Sequence, residues 1–598
     1  MKRETLEYVL GMGFIAVALG IFVAWQSPAS TYEVSIYTET PILTWAFFAI
    51  AFAVAVSGSV ACRGRHQAIA IALGGLSTTA VVSLPVIRSY RFLGMGDALT
   101  HLGWFRDFIS GEMHPHELFY PGLHSIATVF HYLSGVPLER TLMLVVVFLF
   151  VPFVVFVPLV VRDLTGNTVA TGFGAILAWF VLPINNIATH MSAHTNSNAL
   201  FLVPVVLFAF VAFLQRRPGH DRLPLGISPF TVVLYLTAIG LLLVHPQQMI
   251  NVVVLLGTIG VVQWLARGRY DDHPVLDQPL VMGHAIVLGA MFVFWAAANE
   301  RFRRAFSGLV YGVMTRDIGT GAEVDQRESS LAAIGGSLPE LFAKMFLVSA
   351  IIGMIVVLFV LLVWFGRTSL DRDGSTLVTY LALSLFPLGG MFVIYFVGTP
   401  TMAFRQVGFI YVLLTILGAV ALAHGFGWLS GPFTKPGANT LAVLFVGACL
   451  VLSLMTVFGS PYIYNASQHV TDQQMSGMES TIEHRNDDTL MAGFGLGTYR
   501  YGDAVNGVEG APEGTTYEGP WGGTVTVDQF EGGNYAEAYH GNDYYFIVTS
   551  FDETREFEIY GELHHTAESL QGIEYDSNTN KVVANEEYRL YTVNSDQR

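Results

Sequence analysis

The chain has 598 residues, 53% of them hydrophobic and only 13% charged, with a mean hydropathy of +0.51. That composition excludes an ordinary soluble domain and points to a polytopic membrane protein. The net charge of −16 is uneven: from Ser460 onward there are 24 acidic and 6 basic residues, and the part before it is close to neutral. Two regimes imply a membrane part and an acidic exposed tail, and an acidic exposed surface excludes a nucleic-acid partner.

Lys2, Lys344, Lys435 and Lys581 are the only lysines, so arginine dominates the 30 basic residues. An acid-rich, lysine-poor exposed part suits high-salt surroundings, where net charge keeps a chain soluble. Cys62 and Cys449 fall within apolar segments and read as small buried side chains.

Taken in order, segments apolar over about 20 residues, the length a bilayer demands, fall at 8–25, 42–62, 68–87, 141–161, 169–184, 199–214, 228–244, 249–266, 280–298, 345–365, 377–398, 407–427 and 440–459. The expected fold is thus a polytopic α-helical membrane protein with about 13 transmembrane helices plus interfacial helices. The stretch "FYPGLHSIATVFHYL" at 119–133 is shorter and reads as interfacial or re-entrant. The first segment reads as an anchored span, since no small-residue cleavage site follows it. With 119–133 not crossing, Lys2/Arg3, Arg63/Arg65, Arg162, Arg216/Arg217, Arg267/Arg269, Arg367/Arg372 and Lys435 all fall inside. The expectation is a plasma-membrane protein with a cytoplasmic N-terminus and an extracellular tail.

This divides the chain into a transmembrane hairpin at 1–67, a transmembrane module at 68–459 and an extracytoplasmic domain at 460–598. Outer loops 88–118, 185–198, 299–344 and 398–406, with the turn His245–Gln248, then share one membrane face.

In the first outer loop, Leu102, Phe105 and Ile109 recur at helical spacing with Trp104 and Phe108 beside them. That pattern predicts an amphipathic helix lying on the membrane surface. Asp97 and His101, four apart, share a face of it. Gly94 and Gly96 precede Asp97, which is therefore a cap or first-turn residue, a place Asp fills for structural reasons alone.

An outer Asp after an early span, a helix ending "RDFISG" and then "YPGLH" together resemble the GT-C superfamily of glycosyltransferases, of the protein O-mannosyltransferase and oligosaccharyltransferase group and here of a haloarchaeal kind. The residues carrying the resemblance are Gly96-Asp97, Arg106 to Gly111, and Tyr120-Pro121-Gly122-Leu123. Three features depart from the pattern: a hairpin precedes the loop, Gly122 replaces a second proline, and a single acid stands at the motif. The resemblance implies transfer of a sugar from a polyprenyl (dolichyl) phosphate carrier to an acceptor glycan or glycoprotein at the outer face, with inversion. Asp97 would be the catalytic base. Arg405, in "FRQVGF", would meet the carrier phosphate, for which a planar guanidinium is suited. His101, Arg106, Tyr120, His124, His190, His194, Asn196, His245 and Arg304 are the further substrate-binding candidates.

Each candidate has a plainer reading. Arg405 could be a span-end arginine reaching the interface, and Arg304 in "NERFRRAFSG" an interfacial anchor. The outer histidines, with His114 and His116, could converge on a transition metal, but no strict metal motif is present, so no metal ligand is assigned and a divalent cation is left open. The tail is expected to be α+β or β-rich, with a helix over "VTDQQMSGMESTIEHR" and strands over "GGTVTVDQF", "DYYFIVTSF", "REFEIYGEL" and "YRLYTV". Rival functions are a lipid-linked glycan flippase or polymerase, a small-molecule transporter, and a non-catalytic scaffold. A transporter places ionisable groups inside its spans, whereas here they gather at one face.

Overall fold

The computed structural model describes residues 3–215, 223, 227–315, 331, 335–398, 400–429, 431, 433–486, 489–495, 498–509, 525, 527–539 and 542–595. Among them, nine helices are long and apolar enough to cross a bilayer: Arg3–Trp25, Ile42–Ala61, Leu138–Thr165, Thr195–Leu214, Pro246–Arg267, Leu338–Trp364, Arg372–Val397, Met402–Leu429 and Lys435–Leu454. A tenth is counted if Met282–Ala298 and Phe302–Tyr311, bent by 100°, form one span. Ile42, Met354 and Leu358 stand 83%, 61% and 58% exposed on these helices, which in water is costly and in lipid is not. The chain is a multi-pass membrane protein.

The other expected crossings are also helical but shorter or less apolar. Segment 68–87 lies on Gly64–Val82 and the turn Leu84–Ile87. Segment 169–184 stops being helical at Trp179, and 228–244 becomes Pro229–Val244. The helix in 119–133 is Gly122–Ser134, 13 residues, or about 20 Å at 1.5 Å per residue, too short to cross. Arg216, Arg217, residues 316–330 and 332–334 of loop 299–344, and Thr399 of loop 398–406 lie outside the described residues.

The first outer loop departs from expectation. Its helix, Asp97–Ser110, is buried from Ala98 to Phe105 and does not lie with a free polar face on the membrane surface. A tail helix, Tyr499–Asn506, covers it: Arg106 donates to the Ala504 carbonyl at 3.0 Å. Asp107 accepts from the amides of Val508 at 2.9 Å and Glu509 at 3.2 Å. The polar face that periodicity assigned to water is taken by the tail.

The tail begins with the helix Asp472–His484, started by a capping box between Thr471 and Gln474. Its sheet has four strands, β3 (Leu490–Gly493), β4 (Tyr544–Thr549), β5 (Thr579–Ala584) and β6 (Tyr588–Val593), in the order β3-β4-β6-β5. Only the β3–β4 pair is parallel; both other pairs are antiparallel. Two expected strands are helical. "REFEIYGEL" opens with a helical turn, Thr554–Ile559, because the capping box of Thr549 and Asp552 has just started a helix at Ser550. In "GGTVTVDQF", Val527–Glu531 is helical, and residues 522–524 and 526 lie outside the described part.

Residues 26–41, the 88–118 loop and the tail are tied together. A short ladder pairs β1 (Phe92–Leu93) with β2 (His469–Val470). Beneath it, Arg88 grips Glu33 with two hydrogen bonds of 2.6 Å, and the Tyr90 hydroxyl donates to the same carboxylate. His469 stacks on Tyr90 at 3.7 Å between ring centres, and its Nδ1 accepts from the Glu33 amide. The apolar core runs without interruption from the spans into Met475, Ile482, Tyr501 and Tyr588 of the tail.

Candidate active site

Asp97 is the first residue of its helix. Gly96 caps it with φ +65° and ψ −125°, a conformation that a Cβ strains against. The carboxylate is half-exposed and is reached by three side chains from elsewhere. Arg500, from the tail helix, places Nη2 2.7 Å from Oδ1. Arg405 brings Nη2 to 4.0 Å from Oδ2, and His194 brings Nε2 to 4.0 Å from the same oxygen.

Arg500 is fixed on both sides. It donates to the Thr100 hydroxyl at 2.7 Å, Thr100 in turn donates to Asp503 at 2.5 Å, and the guanidinium sits 4.7 Å from the Tyr499 ring centre. The two helices touch at Gly103, where a Cβ would lie 2.4 Å from the Asp503 carbonyl oxygen.

Around the carboxylate the histidines gather. His101 Nδ1 and His124 Nε2 are 3.1 Å apart. His194 lies 6.5 Å from His101 and 5.8 Å from His190, between ring centres. His245 stacks on Tyr120 at 5.5 Å, and Tyr120 also faces His101 and Trp104. Gly122, where the resembled pattern has proline, lets the start of its helix touch the backbone just before His245: a Cβ there would fall 2.8 Å from the Val244 amide nitrogen.

The 185–198 loop folds around its own side chains. Asn185 accepts from the amides of Ile187 and Ala188 at 3.0 Å each. The Ser197 hydroxyl accepts from the His190 amide and stands 2.8 Å from His194 Nδ1. A hydroxyl so used is placed to donate to Nδ1, which puts the neutral ring's proton on Nε2, the nitrogen facing Asp97.

Burial keeps these rings neutral. His124 and His245 are pushed down to about 3, and His190 to about 4, chiefly by desolvation, with Arg405 adding to the effect at His190 and His245. His101 and His194 are lowered well below the ordinary value for the same first reason. The cluster is therefore one carboxylate and two guanidiniums set among uncharged imidazoles.

Asn196 belongs to a second, deeper group. Its Oδ1 accepts from Gln248 at 2.6 Å, and Gln248 Oε1 accepts from Asn251 at 3.0 Å. Gln406, next to Arg405, accepts from Gln247 at 3.1 Å.

Of the expected residues, the structure thus brings together Asp97, His101, Tyr120, His124, His190, His194, His245 and Arg405. Asn196 sits just behind them. Arg106 is turned to the tail. Arg304 is exposed and paired with Glu300 at 2.6 Å on its own helix. His114 and His116 are exposed, stacked on each other at 5.8 Å. Sequence reasoning misses Arg500; it is one of five arginines in the acidic tail, and nothing local singles it out.

Among the described residues no group of three or more His, Cys, Asp or Glu is disposed to hold a metal ion. The carboxylate facing the histidines holds Arg500 instead.

No protein-family model matches the chain, and no curated protein matches it. Solved structures of similar course include ArnT from Cupriavidus metallidurans bound to undecaprenyl phosphate, 12% identical over 89% of this chain and 98% of that one, with a TM-score of 0.45. The archaeal oligosaccharyltransferase AglB from Archaeoglobus fulgidus, in complex with an inhibitory peptide and a dolichol-phosphate, is 14% identical over 84% of this chain and 72% of that one, TM-score 0.45. The apo form of the Archaeoglobus fulgidus oligosaccharyltransferase reaches a TM-score of 0.47 at 12% identity, over 83% of this chain and 71% of that one. At these values the likenesses carry none of the functional argument, which stands on the residues around Asp97.

Proposed function

We propose that the chain is a membrane glycosyltransferase of the GT-C kind, moving a sugar from a polyprenyl phosphate carrier to an acceptor hydroxyl on a glycan or glycoprotein at the outer face of the plasma membrane. The observation that carries this reading is a half-exposed carboxylate, Asp97, on an outer-loop helix, approached by Arg405 and Arg500 and walled by neutral histidines.

The chemistry needs little more. The acceptor oxygen attacks the anomeric carbon, and Asp97 takes the hydroxyl proton. As the new C–O bond forms, the bond from the anomeric carbon to the phosphate oxygen breaks, and the phosphate leaves with the electron pair, inverting the centre. Arg405 is the guanidinium that meets the growing negative charge on that phosphate. Neutral His194 and His190 offer hydrogen bonds to the sugar without adding charge. Beside His190 lies a narrow cleft lined among others by Asn186, Asn465, Ser467 and Gln468. The division at 67/68 and 459/460 would separate an anchoring hairpin, the transfer module and a tail that covers the site.

The test is sugar transfer from polyprenyl-phosphate donors by the full chain in lipid, wild type against Asp97→Asn. The expected loss is about 10²–10⁴-fold, the usual worth of a general base, with the protein still folded. Undiminished transfer by folded Asp97→Asn would remove Asp97 from the chemistry. A wild type inactive with every donor, but moving lipid-linked glycans across a bilayer, would favour the flippase reading.

A further inference from the structure

The tail domain supplies one of the two arginines at Asp97, and this arrangement has a use beyond covering the site. Arg500 brings Nη2 to 2.7 Å from Oδ1 of the carboxylate, while its Nη1 donates to the Thr100 hydroxyl at 2.7 Å. Arg405 approaches the other oxygen only to 4.0 Å. One carboxylate thus stands between two guanidiniums, and Arg405 is too far from it for the two-pronged pairing that guanidinium geometry favours. A phosphate has more acceptor oxygens and more charge, and it can take both arginines at once. The Arg500 side chain is about a quarter exposed, which leaves a path for an incoming anion.

We propose that Arg500 is a substrate-phosphate contact that changes partner: it rests on Asp97, and the carrier phosphate draws it away. This deepens the reading of the site given above and rests on it. Binding of the donor then does two things together. It recruits Arg500 beside Arg405 to hold the phosphate, and it frees Asp97 to accept the acceptor's proton. The base is released from Arg500 only when a donor is in place. Thr100, itself bonded to Asp503, anchors Nη1 of Arg500, so the exchange needs only a rotation of the side chain with the tail helix staying docked.

The experiment is binding, not turnover. Polyprenyl phosphate, and separately the uncharged polyprenol of the same length, are titrated into the full chain in detergent micelles. Five proteins are compared: wild type, Arg500→Ala, Arg500→Lys, Asp97→Asn and the Asp97→Asn/Arg500→Ala double variant. The wild type is expected to prefer the phosphate. Arg500→Ala should weaken phosphate binding by about ten-fold or more and leave polyprenol binding unchanged, with Arg500→Lys between the two. Asp97→Asn should tighten phosphate binding several-fold, because no carboxylate competes for Arg500, and that gain should vanish in the Asp97→Asn/Arg500→Ala double variant. If Arg500→Ala binds the phosphate as the wild type does, or Asp97→Asn brings no gain, Arg500 only props Asp97 and the exchange is wrong, with the carrier reading intact. If the wild type itself does not prefer the phosphate to the alcohol, the carrier reading fails first.

Discussion

Replacing Gly103 by alanine tests whether the tail helix Tyr499–Asn506 is held on the helix Asp97–Ser110 by close backbone contact. An added Cβ would lie 2.4 Å from the Asp503 carbonyl oxygen, 2.8 Å from its carbon and 3.1 Å from Val508 Cγ2. Ordinary contact requires the helices to part by roughly 1 Å. The bonds across the interface cannot follow: Arg106 to the Ala504 carbonyl at 3.0 Å and the Val508 amide to Asp107 at 2.9 Å would stretch past hydrogen-bonding range. Losing both, at about 1 kcal/mol each, outweighs the ~0.5–1 kcal/mol that alanine gains over glycine inside a helix. Counting the overpacking itself, about 2 kcal/mol of docking is lost, or roughly 30-fold faster amide exchange over 499–509. The measurement is hydrogen exchange on the full chain, with Gly257→Ala as control. Gly257 has no atom near its missing Cβ and should show no change at the tail. Unchanged protection at 499–509 in Gly103→Ala would refute the reasoning.

Acid should unfold the protein early. His124, His245 and His469 are held at about 3 and His190 at about 4 in the fold, against about 6.5 in the unfolded chain. Between those values the unfolded chain binds more protons, so stability is full above about 6.5 and falls as pH drops below it. At pH 5 the four rings together remove up to about 8 kcal/mol, against a typical total of ~5–15. Asp107 and Asp552, raised by burial, work in the opposite sense, but only as pH nears the carboxylate range. Apparent Tm should drop steeply from pH 7 to pH 5; a flat profile contradicts the buried neutral cluster. Arg88→Ala leaves Glu33 buried with its main partner gone, which should cost about 3–5 kcal/mol. Thermal unfolding checks it, and Glu33→Gln added to Arg88→Ala should restore part of the loss, since no charge is then stranded.

The sequence alone determined the elements that depend on local pattern. Long apolar runs specify helices wherever they stand, so the nine clear spans and the short 119–133 helix were legible, as was the helix within "VTDQQMSGMESTIEHR". Asp97 and the histidines could be singled out because a polar, acid-bearing loop is conspicuous in so apolar a chain. Tertiary structure decided the rest. Nothing local marks Arg500 as a neighbour of Asp97, because the two are brought together only by the tail helix docking at Gly103. The outer-loop helix looked like a membrane-surface helix, since periodicity reveals an apolar face but not what covers the polar one. "REFEIYGEL" has strand-like composition, but the capping box at Thr549 and Asp552 commits the backbone to a helical turn first. The histidines' loss of basicity also belongs to the assembled fold: it comes from burial by several segments at once, and no residue carries that in its own neighbours along the chain.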